Sequence, residues 1–243
     1  MTWSIIAREE STGRFGIAVA SKFFAVGAVV PHIAPSVGAV ATQALVNAFF
    51  GVDGLQLLRA GLPAPEVVAQ LVALDPGRAH RQLHIVDAVG RTAVHTGAGC
   101  VDWCGGRAGE SFSVAGNMLA GPRVVEDAAT AYAAGARLPF ARRLIFALKA
   151  GEDAGGDKRG KQSAALVIFG DDVWADLDMR VDDHAEPIDE LVRLEAVSRE
   201  RYVHFRQVVP KLRDRVGETD RQVIDARIAE SIRRAEEDEL RRG

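Results

Sequence analysis

The apolar runs of this 243-residue chain come in groups, and that grouping limits the folds open to it. TWSIIA (2–7) and FGIAVAS (15–21) flank the polar, glycine-containing EESTGR, which is a hairpin pattern. GAVV (27–30) and VGAVAT (37–42) follow as two more short strands, split by Pro31 and Pro35. Small residues dominate these last two runs, which suits strands packed closely on both faces. Residues 43–60 then read as a helix, with Leu45, Phe49, Leu55 and Leu58 near helical spacing, and Pro65–Leu74 as a second. RQLHIVDAVGRTAVHTG (81–97) returns to strand character with a turn at Asp87–Arg91, and SFSVAGNMLAG (111–121) adds a strand and turn. Val124–Gly135 and Pro139–Ala150 are helical, SAALVIF (163–169) is a strand, and residues 172–183 continue extended. Strands, helices, strands, helices, strands is not the alternation of a doubly wound sheet. It fits a layered α+β sandwich with sheets between helix pairs.

The final segment differs. Residues 186–243 hold 13 of the 30 Lys/Arg and 14 of the 33 Asp/Glu, in two or three amphipathic helices broken near Pro210 and Gly217. This gives a domain at 1–185 and a charged helical extension at 186–243, either a solvated appendage or a homodimerisation arm. The net charge of −3 offers no basic surface for nucleic acid. No run approaches a membrane span, and the N-terminus has no secretory pattern. Two cysteines, Cys100 and Cys104, are too few for a disulfide framework, so the expected setting is cytoplasmic with reduced thiols. Their C-x-x-x-C spacing has no second pair, and Asp182, Asp183 and His184 are too close in sequence to face one ion from a strand. No metal or cofactor is expected.

Four places can carry chemistry. Thr2 becomes the N-terminus once the initiator methionine is removed, a step that a small second residue favours. Its α-amine, with a pKa near 8, can then activate its own hydroxyl as a nucleophile. Many chains begin Met-Thr with no such role. Ser21 and Lys22 end the second strand of the hairpin, which returns beside Thr2, where either can hold or activate the nucleophile. ATQALVN (41–47) is read as a strand-to-helix junction. Free backbone N–H groups near Gln43 and Asn47 can bind an oxyanion there, or the residues simply cap a helix. GGDKRGKQS (155–163) suggests a phosphate loop, but Gln162 stands where the hydroxyl should be, and the stretch opens a strand, not a helix. Asp157, Lys158, Arg159, Lys161 and Gln162 instead offer either a site for an acidic substrate group or an internal charge network.

Taken together, MTWSIIARE, TGRFGIAVASKFFAVGAVVPH, VGAVATQALVN, AGNMLAG, AGEDAGGDKRGKQSAAL and LDMRVDDHAEPIDEL resemble successive motifs of a bacterial family of uncharacterised function, assigned an N-terminal-nucleophile (Ntn) hydrolase-like fold. The resemblance covers residues 1 to about 195. Cys104 departs from its pattern, standing where a small residue follows Trp103. The resemblance implies a four-layer αββα sandwich with a C-terminal helical extension. It also implies Thr2 as nucleophile, Ser21 or Lys22 as helper, and an oxyanion site at Gln43–Asn47. The expected activity is hydrolysis of an amide (C–N) bond in a small amide, ureido compound or short peptide carrying a carboxylate. The alternative is a non-catalytic ligand-binding or scaffold protein on the same fold.

Overall fold

The computed structural model describes residues 2–242. Strands β1 (Thr2–Arg8) and β2 (Phe15–Ser21) open the chain, and β3 (Pro31–Ala34) and β4 (Gly38–Ala44) follow a short 3-10 turn at Val26–Ala28. Helices α1 (Phe49–Arg59) and α2 (Ala64–Leu74) lead to β5 (Arg81–Asp87), β6 (Thr92–Thr96), β7 (Trp103–Gly109) and β8 (Phe112–Leu119). Helices α3 (Arg123–Ala134) and α4 (Phe140–Asp153) precede β9 (Ser163–Phe169) and β10 (Leu177–Val181). The chain then runs through α5 (Pro187–Ser198), α6 (Tyr202–Phe205) and α7 (Arg221–Arg242). All strand pairs are antiparallel. They build a six-stranded sheet in the order β10-β9-β2-β1-β8-β7 and a four-stranded sheet in the order β3-β4-β5-β6.

Alternation along β1 sends its side chains to opposite faces. Trp3, Ile5 and Ala7 join Val124 of α3, Leu144 and Leu148 of α4, and Ile188 and Leu191 of α5. Ile6, with Phe15, Ile17 and Val19 of β2, meets Ala39 and Ala41 of β4 and Val86 of β5, so these faces of the two sheets share a core. Val40, Leu83 and Ile85 on the other face of the four-stranded sheet pack against Phe50, Leu58, Val67 and Leu71 of α1 and α2. The small residues of the first strands serve this packing: a Cβ on Gly16 would stand 2.5 Å from Leu144 Cδ1. Among the described residues no helix is long and apolar enough to cross a membrane.

Several expectations need correction. Residues 27–30 are not a strand: a 3-10 turn buries Val26, and the strand begins at Pro31. Proline is tolerated there because β3 is an edge strand. Gln43 does not start a helix. It and Ala44 continue β4, paired to Gln82 and Arg81, and α1 begins only at Phe49. The left-handed Ala44 (φ 70°) ends the strand. Strand β7, a glycine-rich edge strand, has no counterpart among the strands expected from the apolar runs. The extended stretch at 172–183 narrows to β10. Beyond residue 185, α5 contributes Ile188 and Leu191 to the main core, and the later tail is fastened by Arg206. Its guanidinium bonds Asp176 at 2.6 Å and lies 3.9 Å above the Trp174 ring.

Candidate active site

Thr2 is the first residue of β1, between β2 and β8 in the six-stranded sheet. It shares strand parity with Ser4 and Ile6, so its hydroxyl faces the other sheet. The residue is 6% exposed, and its Oγ1 lies 3.2 Å from Ser21 Oγ at the end of β2. On the other flank Thr2 pairs with Asn117, whose amide donates to the Thr2 carbonyl at 3.5 Å. The state of Met1 lies outside the described residues.

A buried polar network leads inward from this point. Asn117 Nδ2 and Gln43 Nε2 both donate to Gln82 Oε1, at 3.0 and 2.8 Å. Gln82 Nε2 donates to the Gly116 and Gly105 carbonyls. Ser4 Oγ donates to Gln43 Oε1 at 2.7 Å and lies 2.8 Å from His84 Nε2, while His84 Nδ1 lies 2.8 Å from Ser113 Oγ. Every polar side chain of this group has a partner, as burial demands. Burial holds His84 neutral, with its pKa lowered to about 3 against a smaller raising effect from Ser113.

The proposed helpers part company. Ser21 stands beside Thr2. Lys22 is exposed: its backbone N–H donates to Asp157 Oδ2 at 2.7 Å, and its ammonium donates to the Lys161 carbonyl at 3.0 Å. Gln43 belongs to the inter-sheet network. Asn47 sits at the start of α1, where its Oδ1 accepts from Phe49 N–H and its carbonyl from Phe50 N–H. Those helix-start donors, expected to be free, already have acceptors.

The loop 155–162 docks at the same end of the six-stranded sheet. Gly155, Gly156 and Gly160 have φ of 113°, 50° and 110°, values that only glycine adopts freely. Ala120 N–H donates to the Gly156 carbonyl, and Asp157 bridges to Leu119 at the end of β8. The buried Asp157 carboxylate accepts from Lys22 N–H, from Arg159 N–H at 2.9 Å and from the Arg159 guanidinium at 3.2 Å. Lys158 pairs with Asp102 at 2.9 Å, Lys161 with Glu186 and with Glu152, and Gln162 donates to Asp183 at 3.1 Å. The loop's charges thus face partners within the chain.

No group of three metal-ligating side chains occurs among the described residues. Cys100 and Cys104 are free thiols, and burial pushes the Cys100 thiol up. Sequence reasoning read His84 as a surface or satisfied core histidine, the second of which it is, and missed Ser4, Gln82, Ser113 and Asn117. Its only signal was polar residues two apart inside apolar runs, as in RQLHIVD.

No curated protein matches the chain significantly. Among solved structures, protein SPO2555 from Silicibacter pomeroyi is 33% identical with a TM-score of 0.84, covering 90% of this chain and 99% of that one. Anbu (ancestral beta-subunit) from Yersinia bercovieri aligns over 81% of this chain and 94% of its own at 10% identity and a TM-score of 0.43, too distant to bear on the site. SPO2555 is described as a DUF1028 structure. Residues 2–191 match that same family, DUF1028, a family of unknown function, and the chain belongs to it.

Proposed function

We propose that this chain hydrolyses an amide (C–N) bond by N-terminal-nucleophile chemistry on a four-layer αββα sandwich. The observation that carries the reading is the place of Thr2. It opens a central strand with its hydroxyl toward the second sheet and 3.2 Å from Ser21. With Met1 removed, the α-amine takes the hydroxyl proton as Oγ1 attacks the carbonyl carbon. The amine then passes that proton to the leaving nitrogen as the C–N bond breaks, and water hydrolyses the resulting ester. Ser21 orients the Thr2 hydroxyl. Lys22, whose ammonium bonds the neutral Lys161 carbonyl, is the cation for a substrate carboxylate. Asp157, Lys158, Arg159, Lys161 and Gln162 then shape the loop that holds Lys22.

The test joins intact mass with mutagenesis. We expect the untagged protein to lack Met1, and Thr2→Ala to lower amide turnover by on the order of 10³-fold or more while Thr2→Ser retains part of it. A protein that keeps Met1 and never cleaves itself lacks the α-amine base, which ends the hydrolase reading. One observation favours a non-catalytic ligand-binding or scaffold protein instead: Thr2 is only 6% exposed while the neighbouring loop's charges pair internally. No turnover in any protein with a free Thr2 would support it, whereas full activity in Thr2→Ala would remove Thr2 as the nucleophile.

A further inference from the structure

The end of the molecule that holds Thr2 is ringed by apolar side chains that the core does not use. The Ser4–Gln43 bond aligns β1 with β4 across the sheets, so the chain beyond Ala44 stands at the same end as Thr2. Leu45 and Val46 follow there, 62% and 39% exposed. Phe23 and Phe24 follow Ser21 on the other side, 55% and 62% exposed, and Ser163 Oγ holds the Phe23 carbonyl. Val101, 55% exposed, accepts at its carbonyl from Met118 N–H, one residue past the Asn117 that pairs with Thr2. Three separate segments therefore present large apolar groups at the end of the two sheets that holds Thr2. The charges beside them are engaged: Lys158 with Asp102, Arg159 with Asp157, Lys161 with Glu186.

We propose that this rim selects the substrate, so that the scissile amide carries a large apolar acyl group. The inference rests on the hydrolase reading above. The acyl group lies against Phe24 and Leu45 while Thr2 reaches the carbonyl, and a carboxylate on the amine side meets Lys22. The natural substrate class is then an N-acyl amino acid with an aromatic or long aliphatic acyl group.

Two matched compounds test it: N-phenylacetylglycine and N-acetylglycine, with release of glycine read by an amine reagent. We expect kcat/KM to favour the phenylacetyl compound by at least about ten-fold, the scale of discrimination a few apolar carbons give. Phe24→Ser and Leu45→Ser should bring that ratio toward one. Both residues are exposed, so a melting curve should show both variants folded. Equal kcat/KM values, or a ratio indifferent to both substitutions, overturn the inference and leave the hydrolase reading standing. A free Thr2 with neither compound cleaved overturns it equally. Retained Met1 removes the hydrolase reading and this inference with it. An oligomer that Leu45→Ser dissociates, with substrate preference unchanged, assigns the rim to a second copy of the chain and overturns the proposal.

Discussion

His84 shows at the scale of one residue how the site end and the core differ. Along β1 the inter-sheet face changes from Ile6 to Ser4 to Thr2, and β4 and β5 answer with Gln43, Gln82 and His84. The fully buried imidazole sits between two serine hydroxyls, and a charge there has no carboxylate to meet it. Its folded pKa of about 3 lies below the ordinary 6.5, so the folded state binds fewer protons than the unfolded one. The stability this gives is fully present above pH 6.5 and is lost as the pH falls toward 3, at about 1.4 kcal/mol per pH unit. Urea midpoints between pH 7 and 5 should fall in the wild type and stay flatter in His84→Gln, which keeps a donor and an acceptor. Parallel slopes would show that His84 is not the titrating group. Thr2, Ser21 and the loop could be picked out in the sequence because they stand at strand ends with distinctive chemistry. The network could not, because Ser4, Gln82 and Asn117 find one another only when two sheets stack.

At the scale of elements, patterns with strong local causes were legible and those set by pairing were not. Strands β1, β2 and β9 and helices α2, α3 and α4 follow from apolar runs, turn residues and prolines at helix starts. Strand β7 reads WCGGRAG, which has little intrinsic strand preference, and it is extended because β8 supplies a ladder. The start of α1 moved because β5 pairs β4 as far as Ala44. Helix α5 is the instructive case, since its charged sequence looks like the rest of the tail. Yet Ile188 and Leu191 are wholly buried in the core where α5 packs on α4, β9 and β10, while Val192 next to them is half-exposed. Leu191→Ala should therefore cost about 2–5 kcal/mol in urea unfolding. Val192→Ala should stay within about 0.5 kcal/mol. Similar small losses at both positions would mean that α5 is an appendage and not part of the core.

At the scale of the molecule, the question is what the last helix adds. A polar 22-residue helix is marginal alone and needs a partner for its apolar stripe. Its sequence is compatible with a second copy in that role. Within the chain, Ile224 and Ile228 of α7 are buried with Val208, and His204 Nδ1 lies 2.8 Å from Ser231 Oγ. Arg201 pairs with Asp225 at 3.1 Å and Arg227 with Glu218 at 3.4 Å. This apolar cluster is separate from the three that hold the sheets to each other and to their helices. The beginning of the stripe is thus satisfied internally, and the exposed i,i+4 pairs further along contribute little each. A chain ending at residue 219 should keep the sheets and α5 intact, with a melting temperature lowered by less than about 4 °C, the scale of 1 kcal/mol in a domain of this size. Its mass in solution, measured by light scattering, should show the same number of copies as the full chain. If the full chain is a dimer and the shortened one a monomer, α7 is a dimerisation arm after all. The burial of Ile224 and Ile228 would then describe only half of the surface that this helix covers.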